Sequence, residues 1–153
     1  MQRKTIVLEG QDANLEEVKK YTEKLLNSYY EDYSDCKRDD LQVTVNRRED
    51  GKGNCRYLVS CCYIPCFRGK DREELLEELG DLRDELADLE EELEEIEELD
   101  EDDYEDYGFE SEEEYQERLD DINDDIIIVK ADIEIIENLL KEKYNLQFNS
   151  ENL

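Results

Sequence analysis

The chain has no histidine and a single proline, and none of its stretches approaches the roughly 20 apolar residues that a bilayer span requires. Without histidine, Ser-His and Cys-His nucleophile pairs are excluded. A Gly-rich phosphate loop is also missing. Paired carboxylates are plentiful, but acid/base chemistry needs a pocket that drives their pKa values apart, and a solvated helix surface provides none. The expectation is a protein that is not an enzyme and carries no cofactor. The early apolar run is only Ile6 to Leu8, so neither a leader nor a membrane segment is expected, and the expected location is the cytoplasm.

Cysteine is present, but not in a metal-binding pattern. Cys55, Cys61, Cys62 and Cys66 lack the tight pairs two residues apart that structural zinc favours. Strand alternation puts Cys55 and Cys61 on one face and Cys62 on the other, so the ligands would not converge without a bulge. With Cys36 the total is five, an odd number that fits reduced thiols better than a disulfide framework. No metal site is expected.

Basic residues are scarce in one half only. Residues 1–70 hold 13 Lys/Arg and 12 Asp/Glu, whereas residues 71–153 hold 6 and 36. The formal net charge of -29 therefore belongs to the second half. At 153 residues the chain suits one compact domain, or a small domain with an appendage, and the charge asymmetry favours the second arrangement.

In that acidic half, Leu75, Leu79, Leu82, Leu86, Leu89, Leu93 and Ile96 are spaced by alternating fours and threes, the seam of a coiled coil. Tyr115, Leu119, Ile122, Ile126, Val129, Ile133 and Ile136 repeat the rhythm. If the chain folds back at about 100–110, Ile96 faces Tyr115, Leu89 faces Ile122 and Leu75 faces Ile136, and the paired numbers always total 211 or 212. Two unrelated helices would not keep that total constant. Ile127, Ile128, Ile135 and Leu139 lie off the ladder, more apolar surface than a seam uses.

Ahead of this lies a near-neutral β-α-β-β unit, residues 1–70. Residues 4–9 read as a strand, Asp12 or Asn14 as a helix cap, and Leu15, Val18, Leu25, Leu26, Tyr29 and Tyr33 as one apolar helical face. Leu41 to Asn46 and Arg56 to Ile64 form a β-hairpin around Gly51 and Gly53, with Pro65 ending the second strand. Asp71 with Glu74, and Ser111 with Glu114, have the spacing of capping boxes that open two long helices. The expected fold class is α+β, a small β-α-β-β unit followed by a long, coiled-coil-like antiparallel αα-hairpin over residues 71–153. Tyr144 to Phe148 are candidates for a last short strand.

The turn has part of a calcium-loop pattern, with Asp103 first, Glu105 third, Gly108 sixth and Glu114 twelfth. Tyr107 stands where an oxygen ligand belongs, and Glu110 where an apolar residue normally pairs the loop. Weak, non-specific divalent binding fits these departures better than a specific site.

The commonest reading of a Glu-rich helix is a solvated face. Stability argues that solvation is not the whole explanation here. Like charges four apart, such as Glu90 with Glu94 and Glu94 with Glu98, destabilise a helix, and Glu97, Glu98 and Asp100 sit at a C-terminal end that disfavours anions. Glu85, Glu90, Glu92 and Glu97 against Asp125 and Asp132 are expected to forgo salt bridges between the arms. From Asp71 to Leu146 there are 35 acids and 6 bases. Spread along roughly 50 Å of helix, that is about 0.6 charge per Å, close to the one charge per ~1.7 Å of duplex DNA. Mutual repulsion lowers the ionised fraction, but the density remains comparable.

In its acid-coated half, Glu90 to Glu98 and Asp100 to Asp106 above all, the chain resembles the small acidic DNA-mimic inhibitors that phages and mobile elements direct against restriction and CRISPR effectors. Members of that class have unrelated folds, so the resemblance carries over no residue. It implies a target, the basic channel of a nucleic-acid-binding protein, and a host bacterial cytoplasm if the chain is phage-encoded. The expected contact surface is Glu91, Glu92, Glu94, Glu95, Glu97 and Glu98 on the first arm, and Glu110, Glu113, Glu114, Glu117, Asp120 and Asp121 on the second. The turn adds Asp100, Glu101, Asp102, Asp103, Glu105 and Asp106, with Tyr104, Tyr107 and Phe109 as apolar anchors. Direct nucleic-acid binding and membrane contact are not expected, and the protein would be a monomer or a small oligomer through the N-terminal unit. The competing reading is an adaptor whose hairpin is an assembly arm.

Overall fold

The computed structural model describes residues 3–10, 13–49 and 54–146. Within them the fold is α+β, a three-stranded antiparallel sheet together with several helices. The chain divides into two compact units, Met1–Lys70 and Asp71–Leu153.

In the first unit, strand β1 (Arg3–Glu9) leads to helix α1 (Leu15–Asp32), then to β2 (Leu41–Glu49) and β3 (Cys55–Tyr63). The order in the sheet is β1-β3-β2, so the last strand is central and antiparallel to both neighbours. Register follows from side-chain alternation. Ile6 opposite Val59 and Leu8 opposite Tyr57 put apolar residues on the face that also carries Cys61 and Leu41. Val18, Leu25 and Tyr29 of α1 complete that core. The Tyr29 hydroxyl donates to the Cys61 carbonyl at 2.7 Å, and burial pushes the Cys61 thiol up to about 11. Lys4 ties the sheet to α1, bonding Ser28 and Asp32 with its ammonium over the Tyr29 ring. On the other face of β3, Leu58, Ser60 and Cys62 are buried as well. All five cysteines are free thiols.

Asn14 caps α1 through a 2.9 Å bond from the Glu17 amide, while the alternative cap, Asp12, lies outside the described residues. Leu15, expected on the buried face, is 65 % exposed because it is the first residue of α1 and precedes the turns that meet the sheet. Pro65 does more than stop a strand. It occupies the first turn of the short helix α2 (Pro65–Arg68), where its missing amide proton costs nothing. Gly51 and Gly53 also lie outside the described residues.

In the second unit, α3 (Arg72–Glu97) and α5 (Glu112–Tyr144) are the long helices. Asp71 accepts the Glu74 amide at 2.8 Å, and Ser111 accepts the Glu114 amide at 3.2 Å. The Glu114 carboxylate does not return to the cap residue but takes the Glu110 amide, one position earlier, at 2.8 Å. Ile96, Ile122 and Ile126 form a buried cluster with Leu86, Leu89, Leu93, Phe109, Tyr115 and Leu119 around it. Ion pairs join the helices, Arg83 with Glu137 at 3.3 Å and Arg118 with Glu92 among them. The second of these corrects the expectation for Glu92, one of the flanking acids expected to forgo such bridges, because the facing helix offers it a basic residue and not another acid.

Later in α5, Ala131, Ile133, Ile135, Ile136, Leu139 and Leu140 are all buried, including residues off the heptad ladder. The helix ends at Tyr144 on Asn145, whose φ of 55° is the left-handed cap conformation. The strand expected over Tyr144 to Phe148 therefore does not begin there, and its last two residues lie outside the described ones.

Candidate interaction surface

Helical periodicity decides where the acids of α3 point. Leu89, Leu93 and Ile96 belong to the buried cluster, so Glu90, Glu91, Glu94, Glu95 and Glu97, with Glu98 at the cap, fall on the outer faces, and all six are exposed. On α5, Tyr115, Leu119 and Ile122 do the same for Glu113, Glu114, Glu117 and Asp121, all exposed, as is Glu110 just ahead of the helix.

Between the long helices the chain is itself helical, not an open turn. Glu101–Asp103 make a 3-10 turn and Tyr104–Tyr107 the short helix α4, closed by Gly108 at φ 102°. The Phe109 amide returns to the Tyr104 carbonyl at 2.8 Å. This compaction presents Asp100, Glu101, Asp102, Asp103, Glu105 and Asp106 to solvent. It also puts the first five positions of the calcium-like pattern, Asp103 to Tyr107, into helical turns, and the Glu114 carboxylate is already occupied by an amide. Among the described residues no group of three or more His, Cys, Asp or Glu is placed to hold a metal ion.

The tip aromatics divide. Tyr104 stacks on Tyr115 with ring centroids 4.5 Å apart, and Phe109 meets both rings edge-on. Two of the three residues expected as apolar anchors, Tyr104 and Phe109, are thus committed to the tip's own packing, because burying ring area against neighbouring rings is favourable wherever three meet. Tyr107 leans on Phe109 but stays 42 % exposed. The charged set has exceptions as well: Glu92 is half-buried in its pair with Arg118, and Asp120, also half-buried, accepts from Gln116 at 3.3 Å.

Compared with family models, curated proteins and solved structures, the chain matches none of them.

The surface must therefore be read from its own electrostatics. Arg118 is the one base between Asp88 and Asp121, and its guanidinium is held charged chiefly by its hydrogen bond to Glu92. Burial raises the Asp125 carboxyl above its ordinary range, and the neighbouring Asp121 and Asp124 raise it further. The phenols of Tyr104 and Tyr115 are also raised, first by burial and then by nearby negative charge.

Asp124, only 8 % exposed, is a buried acid that the heptad reading missed. Its signal is in the sequence: Asp124, Ile128, Ala131 and Ile135 recur at helical spacing and begin a second inward stripe beside the ladder. Chemically, the exposed set offers carboxylate acceptors suited to many Lys and Arg donors at once.

Proposed function

We propose that α3 and α5 form an antiparallel, coiled-coil-like hairpin whose acid coat mimics nucleic acid and occupies the basic channel of a nucleic-acid-binding effector, such as a restriction or CRISPR nuclease. The observation that carries this reading is the exposed carboxylate surface running from Glu90 through Asp106 to Asp121, in which Arg118 is the one base and is already paired. The pairing of Arg83 with Glu137 and of Arg118 with Glu92 supports opposed helix directions, since the lower number on one helix goes with the higher on the other. Docking would release counterions from both partners, as duplex binding does. The tip keeps its shape through the Tyr104, Phe109 and Tyr115 rings, leaving Tyr107 as the apolar contact.

A pull-down from bacterial lysate, washed at low and then high salt, recovers the partner, and a competition assay follows. Glu94, Glu98, Asp102 and Glu105 are all exposed, so their joint replacement by lysine removes roughly eight units of negative charge without touching the buried cluster. The wild-type protein is expected to displace labelled nucleic acid from the partner and the reversed protein to fail. Equal displacement by both, or by neither at low salt, replaces this reading with that of an assembly arm.

A further inference from the structure

On one flank of the α3–α5 pair lies a groove of about 640 Å³. Its cause is Ala87, the only alanine of α3. Flanking positions beside a packed helix seam normally carry long side chains whose methylenes cover it. Alanine has none to offer, so Leu86 and Ile133 floor an open notch. The Arg83–Glu137 pair at 3.3 Å closes one end. Glu90 and Lys130 line the other end and Glu134 the rim between, and none of the three makes an ion pair among the described residues. With the closing pair neutral, two carboxylates against one ammonium leave the rim with one negative charge in excess.

We propose that this groove is a docking pocket for an arginine side chain of the partner. The inference rests on the reading that the partner is basic. The aliphatic stem replaces the cover that Ala87 does not supply, and the guanidinium reaches Glu90 and Glu134. Its planar fork satisfies two carboxylates in a way a lysine ammonium does not. The pocket adds an apolar, shape-dependent contact to an otherwise diffuse acid surface.

The probe is a hexa-arginine peptide, titrated at about 0.15 M salt, where diffuse attraction is screened, into full-length protein carrying labelled Ile and Leu methyls. The expected result is a saturating shift at the Ile133 and Leu86 methyls, weaker with hexa-lysine. In Ala87→Met, which fills the notch without changing charge and keeps a good helix former, the midpoint should rise about tenfold, the effect of losing one anchor side chain. Glu134→Gln should act in the same direction. A midpoint unchanged in Ala87→Met, or no saturating shift at Ile133, overturns the proposal. Shifts at Ile133 that change on dilution of the protein alone also overturn it, by assigning the groove to a second copy. Since no nucleic-acid-binding protein is present in this titration, its outcome is distinguishable from failure of the displacement assay.

Discussion

Asp125 pays for its neighbours. Burial, Asp121 and Asp124 all disfavour its ionised form, so its folded pKa is raised above the ordinary 3.8. A raised carboxyl destabilises the fold where it must be ionised, and that cost disappears as pH falls through the folded value toward the unfolded one. Asp125→Asn is expected to raise Tm at pH 7 and to leave it unchanged at about pH 3, below both the folded and the unfolded value. Thermal melts at the two pH values check this, and an equal gain at both would mean the charge is not responsible. Arg118 is the opposite case, a lone cation with several acids around it. Neither residue's role follows from its identity alone, since the chain holds many aspartates in similar local sequence and the difference lies in which groups the fold brings near.

At the scale of elements, the tip depends on one backbone conformation. Gly108 has φ 102°, and an added Cβ would meet nothing within 4 Å, so the cost of Gly108→Ala is purely conformational, about 1 kcal/mol. A small drop in urea midpoint, with the Tyr104–Tyr115 ring contact retained by NMR, is the expected outcome. The paired helices depend on their buried cluster. Replacing Leu89 and Ile122 together with lysine removes two apolar contacts and puts charge in their place, a loss of several kcal/mol. Helical signal from Asp71–Leu153 should fall while sheet and thiol protection in Met1–Lys70 persist, as hydrogen exchange would report. Loss of protection in both would sink the idea that the two units are stabilised separately.

For the whole molecule, a net charge of -29 is a standing repulsion that the folded state concentrates. Salt screens it, so Tm is expected to rise between about 0.02 M and 0.5 M NaCl, where the Debye length shrinks from roughly 20 Å to 4 Å. Binding to a basic partner should weaken over the same range. Opposite salt responses of stability and affinity are the signature of a surface whose charge serves a partner and not the fold. A Tm that falls with salt would show that cross-helix ion pairs, Arg83–Glu137 and Arg118–Glu92 among them, outweigh the repulsion.

Local rules were enough for local structure. Asp71 and Ser111 are legible as caps, and Asn14 as one of two candidates beside Asp12, because a cap involves a side chain and an amide three residues away, and the apolar periodicity marks which faces of α3 and α5 are turned inward for the same short-range reason. The location of the excess acid is likewise a property of the chain. What needed the tertiary structure are the contacts between residues distant in sequence. The partners of Glu92 and Glu137, the stacking of Tyr104 on Tyr115 and the burial of Asp124 belong to this group. So does the notch beside Ala87, because an alanine on a helix flank becomes a groove only when a second helix supplies the opposite wall. Periodicity says which side of a helix is covered, whereas only packing decides by what.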